Sequence, residues 1–340
     1  MPHPMNGSTP CLQAPPVQNS GCAAGCAGKF NCLLAVGLRV AAMVLGCVLL
    51  AACSIKRMAV NRLGDALASG GSVFASDDDP ELVKAALPFS LKLMESLLAE
   101  NPRHQGLLFA AASGFTQYAF AFVQQDADEL EEKDLAAAEA VRVRARKLYL
   151  RARDYGLRGL EAAHPGFGDA LRKKPREAVR QAVRKDVRLL YWTAVSWAAA
   201  ISISKDQPEL VADQIIVESL IDRALELDEG FDCGAIHAFL INYEMARPSS
   251  GAQAEARARR HFERAIELSK GRLAGPYVSL AEAVCVPAQK KDEFKKLLEQ
   301  ALAINPDVAP ESRLVNLVMQ RRARWLMGKM DDLFFNSNEK

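Results

Sequence analysis

The residues with the most distinctive chemistry are Leu50-Ala51-Ala52-Cys53, which end an uncharged apolar run over residues 40–52. That run has the length of a signal-peptide core and is too short to span a bilayer stably. A branched residue, two small residues and a cysteine form the bacterial lipoprotein box: the small side chains let a peptidase reach the bond, and the thiol takes up diacylglycerol. We therefore predict cleavage before Cys53 and lipidation of its sulfur. The alternative is a short membrane anchor that is never cleaved.

A lipidated Cys53 would hold the body on the periplasmic side of a bacterial membrane, because several acyl chains anchor a protein stably where one is marginal. Ser54 is not an acidic residue of the kind that retains lipoproteins in the inner membrane, which favours the outer membrane. Residues 1–28 are rich in Pro, Gly, Ser and Asn, and we predict that they are disordered or precede the true start.

No catalytic or metal-binding pattern is found in the rest of the chain. It has five histidines, of which only His237 and His261 fall in predicted helices, and it has no HExxH, P-loop, GxGxxG or nucleophile elbow. Cys22 and Cys26 lack a second pair at zinc spacing, and the aspartates at 77–79 lack the spacing of a calcium loop and fit a helix cap instead. We predict no enzyme, no metal and no cofactor. A superhelical peptidoglycan-cleaving enzyme is the enzymatic alternative that suits the compartment.

Two apolar stretches could form a ligand cavity. Residues 189–204 are uncharged over sixteen positions, too few to cross a bilayer, and predict a buried central helix. Residues 106–124 predict a second apolar helix with its aromatic side chains on one face. The candidate cavity residues lie on these two helices, with one histidine from a later helix: Phe115, Tyr118, Phe122, Tyr191, Trp192, Trp197 and His237. The alternative for each of them is ordinary core packing.

Composition and punctuation predict an all-α body. Half of the 340 residues are hydrophobic, a quarter are charged, and no segment alternates with a period of two. Basic and acidic residues balance beyond residue 52, so we predict no nucleic-acid partner. We divide the chain into a leader with signal peptide (1–52), a lipidated N-terminus with a first helix (53–76), a helical domain (77–335) and a tail (336–340).

Capping residues, glycines and prolines mark the individual helices. The predicted helices are 55–69, 81–100, 106–124, 136–160, 189–204, 215–227, 233–243, 254–269, 275–285, 292–304 and 311–325. An acidic loop over 126–134 is expected to form salt bridges with the basic face of helix 136–160, and a site for an anionic ligand on that face is the alternative. The very basic segment 172–188 leads into the central helix. Cys233 and Cys285 are expected to be small buried residues, with a disulfide between them as the alternative.

The helix ends resemble one another, which indicates an internal repeat. They are SLLAENP (96–102), GLEAAHP (159–165), RALELDE (223–229), RAIELSK (264–270) and QALAINP (300–306). The last two intervals, 41 and 36 residues, approach the tetratricopeptide unit of about 34. We therefore predict a tetratricopeptide-like helical-repeat superhelix around the central helix, with a concave surface suited to binding another protein.

Longer strings resemble one particular family, the T-component or TatT family of lipoproteins of tripartite ATP-independent periplasmic (TRAP) transporters. The resemblance runs from about Cys53 to Phe335 in the same order. It is carried by DDDPELVKAALPFSLKLMESLL (77–98), ASGFTQYAFAFV (112–123), ARKLYLRARDYGLRGLE (145–161), LLYWTAVSWAAAIS (189–202), RALELDEGFDCGAIHAF (223–239), RARRHFERAIELSKG (257–271) and QRRARWLMGKMDDLF (320–334).

This resemblance implies a helical lipoprotein that assembles as a homotrimer and binds the periplasmic solute-binding subunit. It further implies an apolar cavity or pore that passes a hydrophobic or organic-acid ligand. The alternative function is an envelope scaffold that uses the same superhelix in outer-membrane or pilus assembly and binds no small ligand.

Overall fold

The computed structural model describes residues 60–69 and 71–335, together with Arg39, Met43 and Met58. The rest of the leader, Cys53 and the last five residues lie outside the described residues, so cleavage and lipidation stay predictions. The described residues form helices and no strand, which confirms the all-α prediction. The superhelical repeat and the domain boundaries stay predictions.

The helices follow one another with short connections. They are α1 (60–69), α2 (Gly71–Ala75), α3 (Pro80–Glu100), α4 (Gln105–Tyr118), α5 (Gln125–Leu130), α6 (Leu135–Ala163), α7 (Phe167–Lys173), α8 (Pro175–Ala178), α9 (Val187–Ser202), α10 (Pro208–Ala212), α11 (Gln214–Leu227), α12 (Phe231–Ala246), α13 (Ala254–Ser269), α14 (Gly275–Leu280), α15 (Lys291–Ala303), α16 (Arg313–Gly328) and α17 (Met330–Leu333). A π-helical segment follows α4 (Ala119–Gln124) and another follows α14 (Ala281–Cys285).

Side-chain caps fix two of the helix starts, and the sequence predicted the one among the aspartates at 77–79. The Asp79 carboxylate accepts hydrogen bonds from the backbone N–H groups of Glu81 and Leu82, both at 3.0 Å, so Asp79 is a cap. Asp134 accepts in the same way from Ala137 N–H at 2.9 Å and starts α6. Each carboxylate satisfies backbone donors that have no partner within the helix.

The predicted helix boundaries agree with the structure in most places, and α13 agrees at both ends. The expected loop at the acidic run 126–134 is wrong over its first half. There the apolar helix continues through the π segment and α5, so that residues 105–130 form one long helix. By length and composition that helix could cross a membrane, but most of it is buried inside the protein, as in a core helix.

The buried side chains form two hydrophobic clusters. The first surrounds α9, which packs against α4, α6, α11 and α12. The second lies between α13, α14, α15 and α16. Helix α12 contributes to both clusters, with Leu240 and Tyr243 in the first and Ile241 in the second.

Glycine lets α6 and α9 approach closely. A Cβ added at Gly156 would lie 2.1 Å from Thr193 Oγ1, and one at Gly159 would lie 2.7 Å from Leu189 Cδ2. Since both distances are shorter than any real contact, a larger residue at either position would push the central helix outward.

The two cysteines of the body are both free thiols, so they form no disulfide with each other. Cys285 is buried, as expected, but Cys233 is exposed. Cys233 lies in a left-handed stretch at the start of α12, where Asp232, Cys233 and Gly234 have φ values of 46°, 54° and 90°. This turn directs Cys233 to solvent although it lies in an apolar sequence.

Candidate functional site

The aromatic side chains of α4 and its π segment lie in the first hydrophobic cluster. Phe115, Tyr118 and Phe122 are all more than nine-tenths buried. The ring of Tyr118 lies 5.9 Å from that of Phe122, and the ring of Phe115 stacks on Tyr155 of α6 at 6.0 Å between centroids. The structure therefore brings these three predicted residues together and adds Tyr155 to them.

Arginines of α6 cover these rings. Arg144, Arg151 and Arg158 recur every seven residues, so they share one face of the helix. Their guanidinium carbons lie 5.8 Å from the ring of Tyr118, 5.4 Å from Phe115 and 5.1 Å from Tyr155, respectively. These distances are within the range of cation–π attraction. We call the rings and arginines together the aromatic–arginine column.

A carboxylate closes one side of this column. Glu95 of α3 accepts a hydrogen bond from the Tyr155 hydroxyl at 2.8 Å and lies 3.6 Å from Arg151 Nε. Burial opposes the charge of Glu95, but hydrogen bonds from Lys92 and Tyr155 and the charge of Arg151 lower its pKa overall. Burial and the hydrogen bond to Glu95 raise the pKa of Tyr155 to about 12, so its hydroxyl keeps its proton at neutral pH.

The predicted aromatic residues of α9 form a separate group. The ring of Tyr191 lies 5.0 Å from Trp192 and 5.4 Å from Phe231 of α12. Trp197 is buried, and Arg153 of α6 lies 4.9 Å above its ring. Burial raises the pKa of the Tyr191 hydroxyl. All six predicted aromatic residues therefore belong to the same hydrophobic cluster, in which Trp192 is only partly buried.

His237, the seventh predicted residue, is buried in α12 and faces α13. Its Nδ1 atom lies 2.9 Å from Nδ1 of His261, so that one imidazole donates a hydrogen bond to the other. Burial is the main reason that the pKa of both imidazoles is lowered, that of His261 to about 4. His237 therefore belongs to a neutral histidine pair, and its part in a ligand cavity stays a prediction, as for the six aromatic residues.

Sequence reasoning missed Tyr155, Glu95 and the arginine cover of the rings. The expected salt bridges between the basic face of α6 and the acidic run hold for Arg142, which donates to Glu131 at 2.6 Å. They are wrong for Arg144, Arg151, Arg153 and Arg158, which lie over aromatic rings instead. The seven-residue spacing of three of these arginines was the available signal.

The acidic run is neutralised mainly by α16. Arg321 donates to Asp126 at 3.0 Å and to Glu129 at 2.7 Å. Arg322 is buried and donates to Asp128 at 3.0 Å, to Gln125 at 2.8 Å and to Glu282. Lys329 lies 2.6 Å from Glu132. Apart from the pair of Arg322 with Glu282, these pairs join residues almost two hundred positions apart in sequence.

Comparison with known proteins identifies the family. A sequence profile described as TRAP transporter T-component matches residues 76–334. The chain belongs to this family. A protein of Treponema pallidum (strain Nichols), described as uncharacterized, is 32% identical to this T-component over 310 residues, which cover 85% of the present chain and 95% of that protein. The T-component is thus an accessory component of a TRAP transport system, which confirms the family resemblance read from the sequence strings.

Proposed function

We propose that this T-component is a lipid-anchored periplasmic protein that binds the solute-binding subunit of its transporter and passes a hydrophobic or organic-acid ligand. The family match over residues 76–334 is the observation that carries the proposal, because it covers nearly all of the helical body. Lipidation of Cys53, a location on the outer membrane and assembly as a homotrimer are further parts of the same proposal.

The aromatic–arginine column supports the ligand part of the proposal. Apolar rings favour contact with a hydrocarbon chain, and guanidinium groups pair with a carboxylate in a bidentate manner. Arg144, Arg151 and Arg158 are exposed, and the aromatic rings that they cover are buried or partly buried. The hydrocarbon chain and the carboxylate of an amphiphilic organic acid would therefore both have complementary groups along one face of α6.

The partner is tested by affinity capture. The full chain, solubilised from membranes, is incubated with periplasmic extract, and bound proteins are identified by mass spectrometry. We expect a TRAP solute-binding subunit among them. Recovery of envelope-assembly proteins alone would instead favour the scaffold alternative. Mass analysis of the same purified chain tests the lipid, because an unmodified thiol at Cys53 would exclude that part of the proposal.

The ligand is tested with dodecanoate, which has an apolar chain and a carboxylate. We expect Arg151→Gln to weaken its binding about ten-fold, because one charged contact and one ring contact are lost. Arg146→Gln, on the same helix, is the matched control and should bind like the original chain. Equal affinity of both variants in calorimetry would remove the column from the ligand path.

A further inference from the structure

The strongest unexplained surface feature is the segment between α6 and α9. Residues 166–188 contain eight basic and three acidic side chains. All eight basic side chains are exposed, and we call them the basic end: Arg172, Lys173, Lys174, Arg176, Arg180, Arg184, Lys185 and Arg188. Such a density of one charge is costly by self-repulsion unless an anionic partner offsets it.

The protein itself neutralises only part of the basic end. Lys174 pairs with Glu177 at 3.1 Å, and Arg184 pairs with Asp228 at 3.2 Å. Asp186 is buried and accepts from Val183 N–H at 2.9 Å, with His164 Nε2 at 2.8 Å, so it does not face the surface cations. Within the part of the chain that the structure describes, the other six exposed cations have no ion pair: Arg172, Lys173, Arg176, Arg180, Lys185 and Arg188.

The chain enters the folded body beside this surface. Asn61 of α1 contacts the α3–α4 connection, where its side-chain oxygen accepts from Asn101 Nδ2 at 2.7 Å. The same connection contacts the end of α6, since Arg158 donates to Pro102 O at 3.3 Å and Gln105 donates to Gly159 O at 3.2 Å. The end of α6 leads directly into the basic end.

Arg188, the last residue of the basic end, lies close to the α3–α4 connection. Arg188 lies 4.7 Å above the ring of Phe109, in the first turns of α4. The exposed Arg62 and Arg103 add positive charge there. Leu63 and Val183 are exposed apolar side chains beside these cations. Basic residues mixed with exposed apolar ones are the pattern of a surface that rests in lipid headgroups.

Chain length relates this surface to the membrane. Asn61 lies eight positions after Cys53, and eight extended residues reach no more than about 28 Å. An anchor at Cys53 therefore keeps the side of the body that carries the basic end close to the bilayer. The cytoplasmic leaflet is not the only anionic surface, because any leaflet with anionic phospholipids attracts clustered Lys and Arg.

We propose that the basic end binds the anionic phospholipid headgroups of the membrane that holds the anchor. The contact orients the body with the end of α6 toward the bilayer. This inference rests on the N-terminal membrane anchoring proposed above and goes beyond it, because an anchor alone would let the body rotate on its tether.

Lysine reactivity tests the proposal without altering the chain. The full chain is reconstituted into neutral vesicles of phosphatidylcholine and, separately, into anionic vesicles that also contain about 30% phosphatidylglycerol. Both samples are treated with a water-soluble acetylating reagent at a level that modifies about one lysine per molecule. Acetylation at each lysine is then quantified by mass spectrometry. We expect Lys173 and Lys185 to react about five-fold more slowly on the anionic vesicles, with the protection lost at high salt. Lys295 and Lys296, exposed on α15, are the internal controls and should not change.

Two double variants with reversed charges distinguish binding at the basic end from general attraction of a basic protein to an anionic membrane. Arg176→Glu with Arg180→Glu should abolish most of the protection of Lys173 and Lys185. Arg260→Glu with Arg324→Glu, which removes the same charge from other exposed sites, should leave it intact. Equal reactivity on both vesicle types, or equal protection of Lys295 and Lys296, would overturn the proposal.

Two further outcomes separate this inference from the proposed anchoring. Association with anionic but not with neutral vesicles, with Lys173 and Lys185 protected, would support the basic end and exclude the anchor. Protection that appears without vesicles when the solute-binding subunit is added, and is absent on vesicles, would overturn the lipid assignment in favour of a protein partner.

Discussion

The two ends of α6 carry opposite charges, and the rest of the protein meets them differently. At the N-terminal end, six acidic residues over 126–134 are all engaged: five by Lys or Arg side chains and Asp134 by capping α6. Beyond the C-terminal end, six of the eight cations in the basic end have no ion pair among the described residues. A run of like charges in a sequence can therefore be part of the fold or stay free for a partner, and the long-range partners decide which.

The largest loss of stability is expected when an ion pair of the acidic run 126–134 is removed. Arg322→Leu leaves Asp128 and Glu282 without their shared guanidinium, and removing one partner of a buried ion pair costs about 3–5 kcal/mol. Burial already raises the pKa of Asp128, and the variant would raise it further. Urea unfolding measures the loss. Arg324→Leu, an exposed position on the same helix, is the control, and equal stability of the two variants would contradict the comparison.

A smaller loss of stability is expected when Asp186, the buried acidic residue of the segment 166–188, is replaced. Asp186→Ala leaves the His164 ring and the Val183 N–H without their acceptor, which should cost about 2 kcal/mol. Asp169→Ala, an exposed acid of α7, should change the free energy of unfolding by less than about 0.5 kcal/mol. If the two variants unfolded alike, the segment would not be held by Asp186.

Acid should weaken the fold without altering the basic end, because Lys and Arg keep their charge between pH 7 and pH 4. The pKa of His261 is about 4 in the folded protein and about 6.5 when unfolded, so below pH 6.5 the unfolded chain binds the proton first. Stability is thus full above pH 6.5 and falls as the pH approaches 4. Allowing for screening of the partly exposed ring, we expect a loss of about 1–2 kcal/mol.

His261→Gln is the variant that tests this assignment. It keeps a side chain able to form a hydrogen bond with His237 but removes one titrating group. Urea unfolding between pH 7 and pH 4 should give a shallower pH dependence in the variant than in the original chain. An unchanged slope would assign the acid sensitivity to the carboxylates instead.

The smallest effect is expected from reversing the free charges. The four substitutions Lys173→Glu, Arg176→Glu, Arg180→Glu and Lys185→Glu remove no ion pair among the described residues, so stability should change by about 0.5 kcal/mol or less. Thermal unfolding of the variant beside the original chain checks this. A destabilisation as large as that of Arg322→Leu would show that the basic end is part of the fold.

Local signals predicted much of this fold. The cap at Asp79 was predictable because its short carboxylate reaches backbone donors within the next turn, and such contacts depend only on neighbouring residues. The boundaries of α13 follow in the same way from its amphipathic pattern and its ends. The aromatic side chains of α4 were recognised as one group because helical spacing alone places them on one face.

The remaining features depend on contacts between distant residues. The acidic run was expected to be a loop, but α5 is stabilised by Arg321 and Arg322, which no local pattern relates to it. The arginines of α6 were expected to form salt bridges with the acidic run, yet Arg144 and Arg153 lie over rings of α4 and α9. The left-handed turn at residues 232–234 likewise has no signature in an apolar sequence with one glycine.

Helix α12 has a consequence for how the protein unfolds. Because its opposite faces supply Leu240 and Tyr243 to one cluster and Ile241 to the other, neither cluster can lose α12 without exposing apolar surface in both. Arg322 adds a second link, since it binds α5 and the π segment after α14 at once. The free energies of unfolding of the two clusters are thereby coupled. The body should therefore melt in a single cooperative transition rather than one cluster at a time.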